Sequence, residues 1–443
     1  MSAVRAAYTA LIFLAAPFAA LYLLWRSRRQ PEYRSHWAER FGVARWSTDR
    51  AQPLIWLHAV SVGETMAAAP LIAALADHYP AHNFLLTHMT PTGRAAGAAL
   101  SARWPGRVVQ SYLPYDLPYA VRRFLRAFQP LIGISLETEA WPNLVASAAQ
   151  QSVPMVLVNA RLSEASYRAS LPYASLMRET AARFSIVLAQ SDADAARIRK
   201  VGAPCVESVG NMKFDFTPDP AMVERGRVWR SSLAGRPVLL FASTREGEEA
   251  MLLTALPQNL CSRTTVIIVP RHPQRFDDVA RLIEAHGTPF VRCSQPDFES
   301  RSDAAFFLGD SMGEMPMYYT AAEVAFIGGS LLELGGQNLI EACAVGTPVV
   351  VGPHTFNFAQ ATEDAIDAGA AVRASTAAEA IATMTDIADS PLRRQRMSEA
   401  ASRFAAAHRG ATARTLERLT PFIDAASASR AAAGSALPAV SAR

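Results

Sequence analysis

The chain has 443 residues, half of them hydrophobic and 19% charged, with a formal net charge of +4. That composition excludes a disordered chain, and so mild a charge, with no basic stripe, excludes nucleic acid as the partner. At ~150 residues per domain, two domains plus extensions are expected.

The first predicted element is an apolar helix. "AAYTALIFLAAPFAALYLLW" (6–25) is uncharged throughout and "RSRRQPEYR" follows at once. About 20 apolar residues cross a bilayer. A signal peptide would have a shorter apolar core and a small-residue cleavage site, which this segment lacks. The cluster Arg26, Arg28, Arg29 and Arg34 places everything downstream on the cytoplasmic side. The expectation is a single-pass anchor with its basic flank over 1–30; a helix lying in the membrane interface, kinked at Pro17, is the rival.

Beyond the anchor, short apolar runs alternate with Ala-rich helical stretches. Strands are predicted over 54–59, 83–89, 107–113, 131–137, 155–160, 185–191 and 206–211, with helices over 64–78, 91–103, 117–128, 141–150 and 192–201. Runs apolar on both faces and separated by helices indicate a parallel sheet in an α/β layer. "NMKFDFTPDPA" (211–221) reads as a linker. The pattern then restarts, with strands over 237–243, 264–270, 289–293, 304–310, 323–329 and 348–353. Two such units imply two Rossmann-like domains, 31–215 and 216–424, facing a cleft, with ligands beyond the carboxyl ends of the strands. Residues 425–443 lack apolar periodicity and are expected to be a disordered tail. Cys205, Cys261, Cys293 and Cys343 are scattered with no CxxC pair, which suits a reducing compartment and indicates neither zinc nor a disulfide framework.

Several strand ends hold groups that could do chemistry. Glu64 follows the buried-looking "LIWLH" strand through the small residues of "AVSVG"; Glu137 and Glu139 follow "ISL". Acids in a first helical turn stabilise the helix by ~0.3–1 kcal/mol, so helix-start duty is the bland account of all three. Lys213 is one of only two lysines among 43 basic residues, the other being Lys200. "VPRHPQRF" presents Arg271, His272 and Arg275 after Pro270, and an arginine fork suits phosphate or carboxylate. Gly328-Gly329 and Gly335-Gly336 lead into Asn338, a good N-cap for a helix over 339–345 holding Glu341. That arrangement suits an anion, though a glycine-rich turn alone would look the same. "SDAD" (191–194) contains a DxD, but an N-cap explains it better than a metal.

Taken in order, "HAVSVGE", "MTPTGR", "YLPYDLP", "ETEAWPN", "NARLS", "GNMKFD", "STREGEE", "VPRHPQRF", "GDSMGE", "FIGGSLLELGGQNLIEA" and "GPHTFNF" resemble the Kdo (3-deoxy-D-manno-octulosonic acid) transferases of lipid A assembly. The resemblance implies a GT-B fold, with the first domain binding acceptor and the second binding donor. It implies CMP-Kdo as donor substrate, no cofactor, no metal, and a lipid A precursor (lipid IVA) as acceptor at the inner membrane. Carried onto this chain, Glu64 matches the general base; Glu137 and Lys213 match residues that stabilise the transition state. Pro270, Arg271, Met312, Gly313, Glu314, Asn338, Leu339, Ile340 and Glu341 match the CMP-binding positions. Arg245 stands where the family usually has His, and Gln337 likewise. The alternative is another GT-B transferase of envelope biosynthesis using a UDP-sugar.

Overall fold

Runs such as Leu54–His58 and Thr265–Pro270 are buried along their whole length, so each strand has to be covered on both faces. The computed structural model describes residues 2–28, 30–43, 52–233, 235–257, 259–301 and 303–435. It places β1 (Leu54–His58), β2 (Asn83–His88), β3 (Val108–Tyr112), β4 (Ile132–Leu136), β5 (Met155–Ala160), β6 (Phe184–Ala189) and β7 (Val206–Ser208) in one seven-stranded sheet. Its order is β3-β2-β1-β4-β5-β6-β7, all parallel. A second parallel sheet holds β8 (Val238–Thr244), β9 (Thr265–Pro270), β10 (Val291–Arg292), β11 (Phe306–Leu308), β12 (Val324–Ile327), β13 (Val349–Val351) and β14 (Ala371–Arg373), in the order β10-β11-β9-β8-β12-β13-β14. In each sheet the order reverses beside the first strand, at β1/β4 and at β8/β12. Such switch points open a crevice at the strands' carboxyl ends.

The chain divides into two compact units, Met1–Asp215 with Arg409–Arg443, and Phe216–His408. The sequence expectation that the second domain continues to 424 is therefore corrected: the chain returns to the first unit at Arg409. The expected disordered tail from 425 is corrected too, because one helix runs Ala411–Ser435. Its Leu419 and Ile423, four residues apart, enter the same core as Leu71, Ile72 and Leu75 of the Val62–His78 helix. Tyr79 donates to Asp424 at 3.0 Å. Residues 436–443 of the expected tail lie outside the described residues, as does Arg29 of the basic cluster.

Short elements escaped the sequence pattern. β14 spans three residues, and the helices Glu164–Ser170 and Ala174–Ala181 had no predicted counterpart. The expected linker 211–221 contains a 3-10 turn, Met212–Asp215, whose Met212 and Phe214 are buried. In the second unit, fully buried Trp229 sits edge-on to Phe298 and Phe307, each at 5.2 Å between ring centroids. Ser191, as expected, caps the Asp192–Val201 helix. The N-terminal helix, Ala3–Arg26, is long and apolar enough to cross a membrane by length and composition.

Candidate active site

In the first unit the chain leaves β1 through Ala59 and Val60 into the Val62–His78 helix, with Ser61 as N-cap. The Ser61 hydroxyl accepts from the Glu64 N–H (3.4 Å) and donates to Glu64 Oε1 (3.1 Å), while Glu64 Oε2 accepts the Val60 N–H (2.9 Å). This is a variant of the S-x-x-E capping box, in which the glutamate reaches the N–H of the residue before the cap, not that of the cap itself. Helix-start duty is thus real, but it is not all that the site does to this group. Burial pushes the Glu64 carboxyl up to about 7, the negative charges of Glu137 and Glu139 add to that, and the bonds from Val60 and Ser61 oppose it. A carboxyl balanced near neutral pH is suited to accept a proton there.

Glu137 follows β4, across the switch point from β1. Its backbone is in the left-handed region (φ +54°), a conformation that non-glycine residues seldom adopt, held by its N–H on Val158 O at 3.0 Å. Its carboxylate lies 2.9 Å from Lys213 Nζ. Lys213 is placed in turn by Asn159 and Asn211, whose side-chain oxygens accept the Met212 and Lys213 N–H groups, each at 3.0 Å. Asp215 completes the strap by accepting the Gly410 and Thr412 N–H groups at the start of the Ala411–Ser435 helix. Asn159 and Asp215 were missed as positioning residues. Their signal was available in the stretches "NARLS" and "GNMKFD".

Glu139 accepts the Trp141 indole N–H at 2.6 Å, and burial raises its carboxyl above the ordinary range. Fully buried His58 packs edge-on to Trp141 and is pushed down to about 3 by burial, so it stays neutral. That leaves the carboxyls, rather than this imidazole, to handle protons near neutral pH.

In the second unit, β8 and β12 approach so closely that a Cβ on Gly328 would lie 2.5 Å from Ser243 O. Buried Glu248 staples the two loops there, accepting the N–H groups of Arg245 and Leu331 (both 2.9 Å) and of Gly329. Arg245 and Gln337, the two departures from the family pattern, both flank Gly329. After β9, the Arg271 N–H donates to Thr244 O (2.9 Å) and its side chain is exposed. His272 is pushed down by burial and by the nearby positive charges of Arg245, Arg271 and Arg275. Arg275 itself is engaged by the buried Glu249 carboxylate at 3.2 Å, which makes it a strut.

Asn338 is not the N-cap expected of it. The helix is Ile340–Ala344, capped by Leu339, and Asn338 instead closes an Asx turn onto the Ile340 N–H (3.0 Å). Its amide also donates to Glu341 at 3.1 Å. Burial raises the Glu341 carboxyl, while Asn338 and the Arg271 charge oppose that shift. Pro270, Arg271, Asn338 and Glu341 therefore gather at one group of strand ends. Leu339 and Ile340 bury their side chains. Met312 is exposed and Gly313 (φ +84°) has open space where a Cβ would be. The Glu314 carboxylate is held by the Arg225 guanidinium. Among the described residues, no three His, Cys, Asp or Glu side chains are grouped to hold a metal.

Residues 35–216 match the family model described as 3-deoxy-D-manno-octulosonic-acid transferase (Kdo transferase), and 298–404 match that of glycosyl transferases group 1. The 3-deoxy-D-manno-octulosonic acid transferase of Bordetella pertussis is 46% identical over 91% of this chain and 97% of its own. That of Haemophilus influenzae is 31% identical over 94% and 98%. A solved glycosyltransferase from Rickettsia africae aligns with a TM-score of 0.57 at 13% identity, over 84% of this chain and 99% of that one. This last likeness concerns the fold alone, and with the two parallel sheets it places the chain in the GT-B class.

Proposed function

The chain belongs to the 3-deoxy-D-manno-octulosonic acid transferases, and from that premise we propose that it moves Kdo from CMP-Kdo onto a lipid A precursor. The reading places this at the cytoplasmic face of the inner membrane, where an apolar N-terminal helix keeps the enzyme beside a lipid acceptor. It assigns the deprotonation to Glu64. As the acceptor hydroxyl oxygen bonds to the anomeric carbon of Kdo, its proton passes to the Glu64 carboxylate. The bond from that carbon to the CMP phosphate oxygen breaks, and CMP leaves with the electron pair. One displacement inverts the anomeric centre and needs neither a covalent nucleophile nor a metal.

The phosphate gains charge as it departs, and the cluster of Arg271, Arg245 and neighbouring backbone N–H groups offers it fixed positive partners. Glu341 and Asn338 supply acceptors and donors for the nucleoside. Lys213, oriented by Glu137, provides a compact cation for the carboxylate of Kdo. The observation that supports this reading most is the Glu64 carboxyl, half-buried at a switch point and pushed to about 7. Mass spectrometry of lipid IVA after incubation with the membrane-bound enzyme and CMP-Kdo tests it. A gain of one or more Kdo units is expected, formed roughly 10²–10⁴-fold more slowly by Glu64→Gln. Transfer from UDP-GlcNAc instead of CMP-Kdo would sink it.

A further inference from the structure

The peptide that joins Ala59 to Val60 is hydrogen-bonded on both of its sides. Its N–H, that of Val60, donates to Glu64 Oε2 at 2.9 Å. Its carbonyl, that of Ala59, lies 2.9 Å from Nδ1 of His88, the last residue of β2. A carbonyl can only accept, so Nδ1 carries the proton. His88 Nε2 has no hydrogen-bond partner among the described residues, so this tautomer leaves no donor of the ring unpaired. Burial pushes the imidazole down to about 4, and it therefore donates as the neutral ring wherever Glu64 titrates.

The ring has little room to turn. His88, Ala59 and Thr65 are fully buried. The Thr65 hydroxyl, which itself donates to Ser61 O (2.8 Å), sits 3.4 Å from Nδ1. On another side the Pro91–Ser101 helix comes so near that a Cβ on Gly97 would lie 2.3 Å from Nε2. The turn that His88 grips is laid along the end of β2. Ala59 N–H donates to Thr87 O (3.0 Å), and Val60 O accepts the Met89 N–H (3.2 Å) and the Thr90 hydroxyl (3.3 Å).

A donor on a peptide's carbonyl polarises the group and strengthens its N–H as a donor in turn. We propose that His88 is a positioning residue, which through the Ala59–Val60 peptide fixes the place of the Glu64 carboxylate and firms the bond on one of its oxygens. Its meaning for the reaction rests on Glu64 taking the proton; the wiring itself is readable without turnover. The charged and titratable neighbours of this path are few. Beside Glu64 stand Glu139 and Glu137, the latter paired with Lys213. Beside His88 stand His58 and Arg94, the latter paired with Glu39.

The test compares three variants of the full-length enzyme. Asparagine can place an amide N–H where Nδ1 stands, glutamine places it one carbon farther out, and leucine has no donor. The Val60 bond holds the Glu64 carboxyl down, so loosening it lets the group rise. In ¹³C carboxyl titrations, with the Glu64 signal assigned by its loss in Glu64→Gln, His88→Leu and His88→Gln should move the midpoint up by roughly 0.5 unit. His88→Asn should return it to the wild-type place, with CMP binding unchanged in all three. A midpoint unmoved in His88→Leu, or displaced equally by all three, overturns the proposal. The rising limb of kcat/KM with CMP-Kdo and lipid IVA should follow the midpoint. If the midpoint moves in this order and the limb does not, the base assignment fails and the wiring stands. In the wild type, ¹⁵N spectra of the His88 ring should show the proton on Nδ1, and a proton on Nε2 refutes the wiring even where no variant folds.

Discussion

The two units are built alike and charged oppositely at corresponding places. Each has a seven-stranded parallel sheet whose order reverses beside its first strand. At the first switch point the loops bring three carboxyls together, and burial, with their mutual repulsion, holds Glu64 and Glu139 above the usual range. At the second, the corresponding loops bring Arg245, Arg271, His272 and Arg275 together, and burial, helped by the cationic crowd, pushes His272 down. The sheet supplies a location; loop residues decide which charge a ligand meets there.

The largest test of this contrast is Glu64→Gln. Glutamine keeps the capping box but cannot take a proton, so kcat should fall roughly 10²–10⁴-fold while the melting temperature hardly moves. Parallel losses in calorimetry and turnover would mean that capping explains the residue. In the second unit, Glu248→Ala removes a buried acceptor from three backbone N–H groups and should cost about 3 kcal/mol in urea unfolding, with CMP affinity falling as its loops part.

Arg271→Ala and Arg275→Ala should separate ligand from strut. The first should weaken CMP binding roughly ten- to a hundredfold by calorimetric titration, as expected for a lost charged hydrogen bond. The second should chiefly lower stability, because it leaves the buried Glu249 without its guanidinium. An affinity loss confined to Arg275→Ala would reverse the assignment.

The smallest effect concerns pH. Glu64 must be ionised to act, so kcat/KM should rise with pH through about 7. Glu137→Gln removes a negative neighbour, which lowers the Glu64 pKa and moves that rising limb to lower pH. Whatever the height of the curve, an unmoved limb would show that the two carboxyls do not sense each other.

Much of this could be read from one dimension. "LIWLH" and "TTVIIVP" are apolar on both faces, and only a strand covered twice accepts that. Glu64, Glu137, Lys213 and Arg271 stand out because each ends a strand or a familiar stretch. What the pattern could not show were the partners. Glu314 gives no hint of the Arg225 guanidinium that closes on it, and Asn338 looks like a cap until the helix begins two residues later.

The sequence by itself determined the parallel α/β units, the apolar amino terminus and the strand-end position of the candidate groups, since periodicity and turn residues act over a few neighbours. Only the tertiary structure decided that residues from Arg409 rejoin the first unit, that Lys213 meets Glu137, and that Arg5 near the amino terminus pairs with Glu179. Ion pairs, burial and the pKa shifts that follow depend on groups far apart in the chain, and no local pattern contains them.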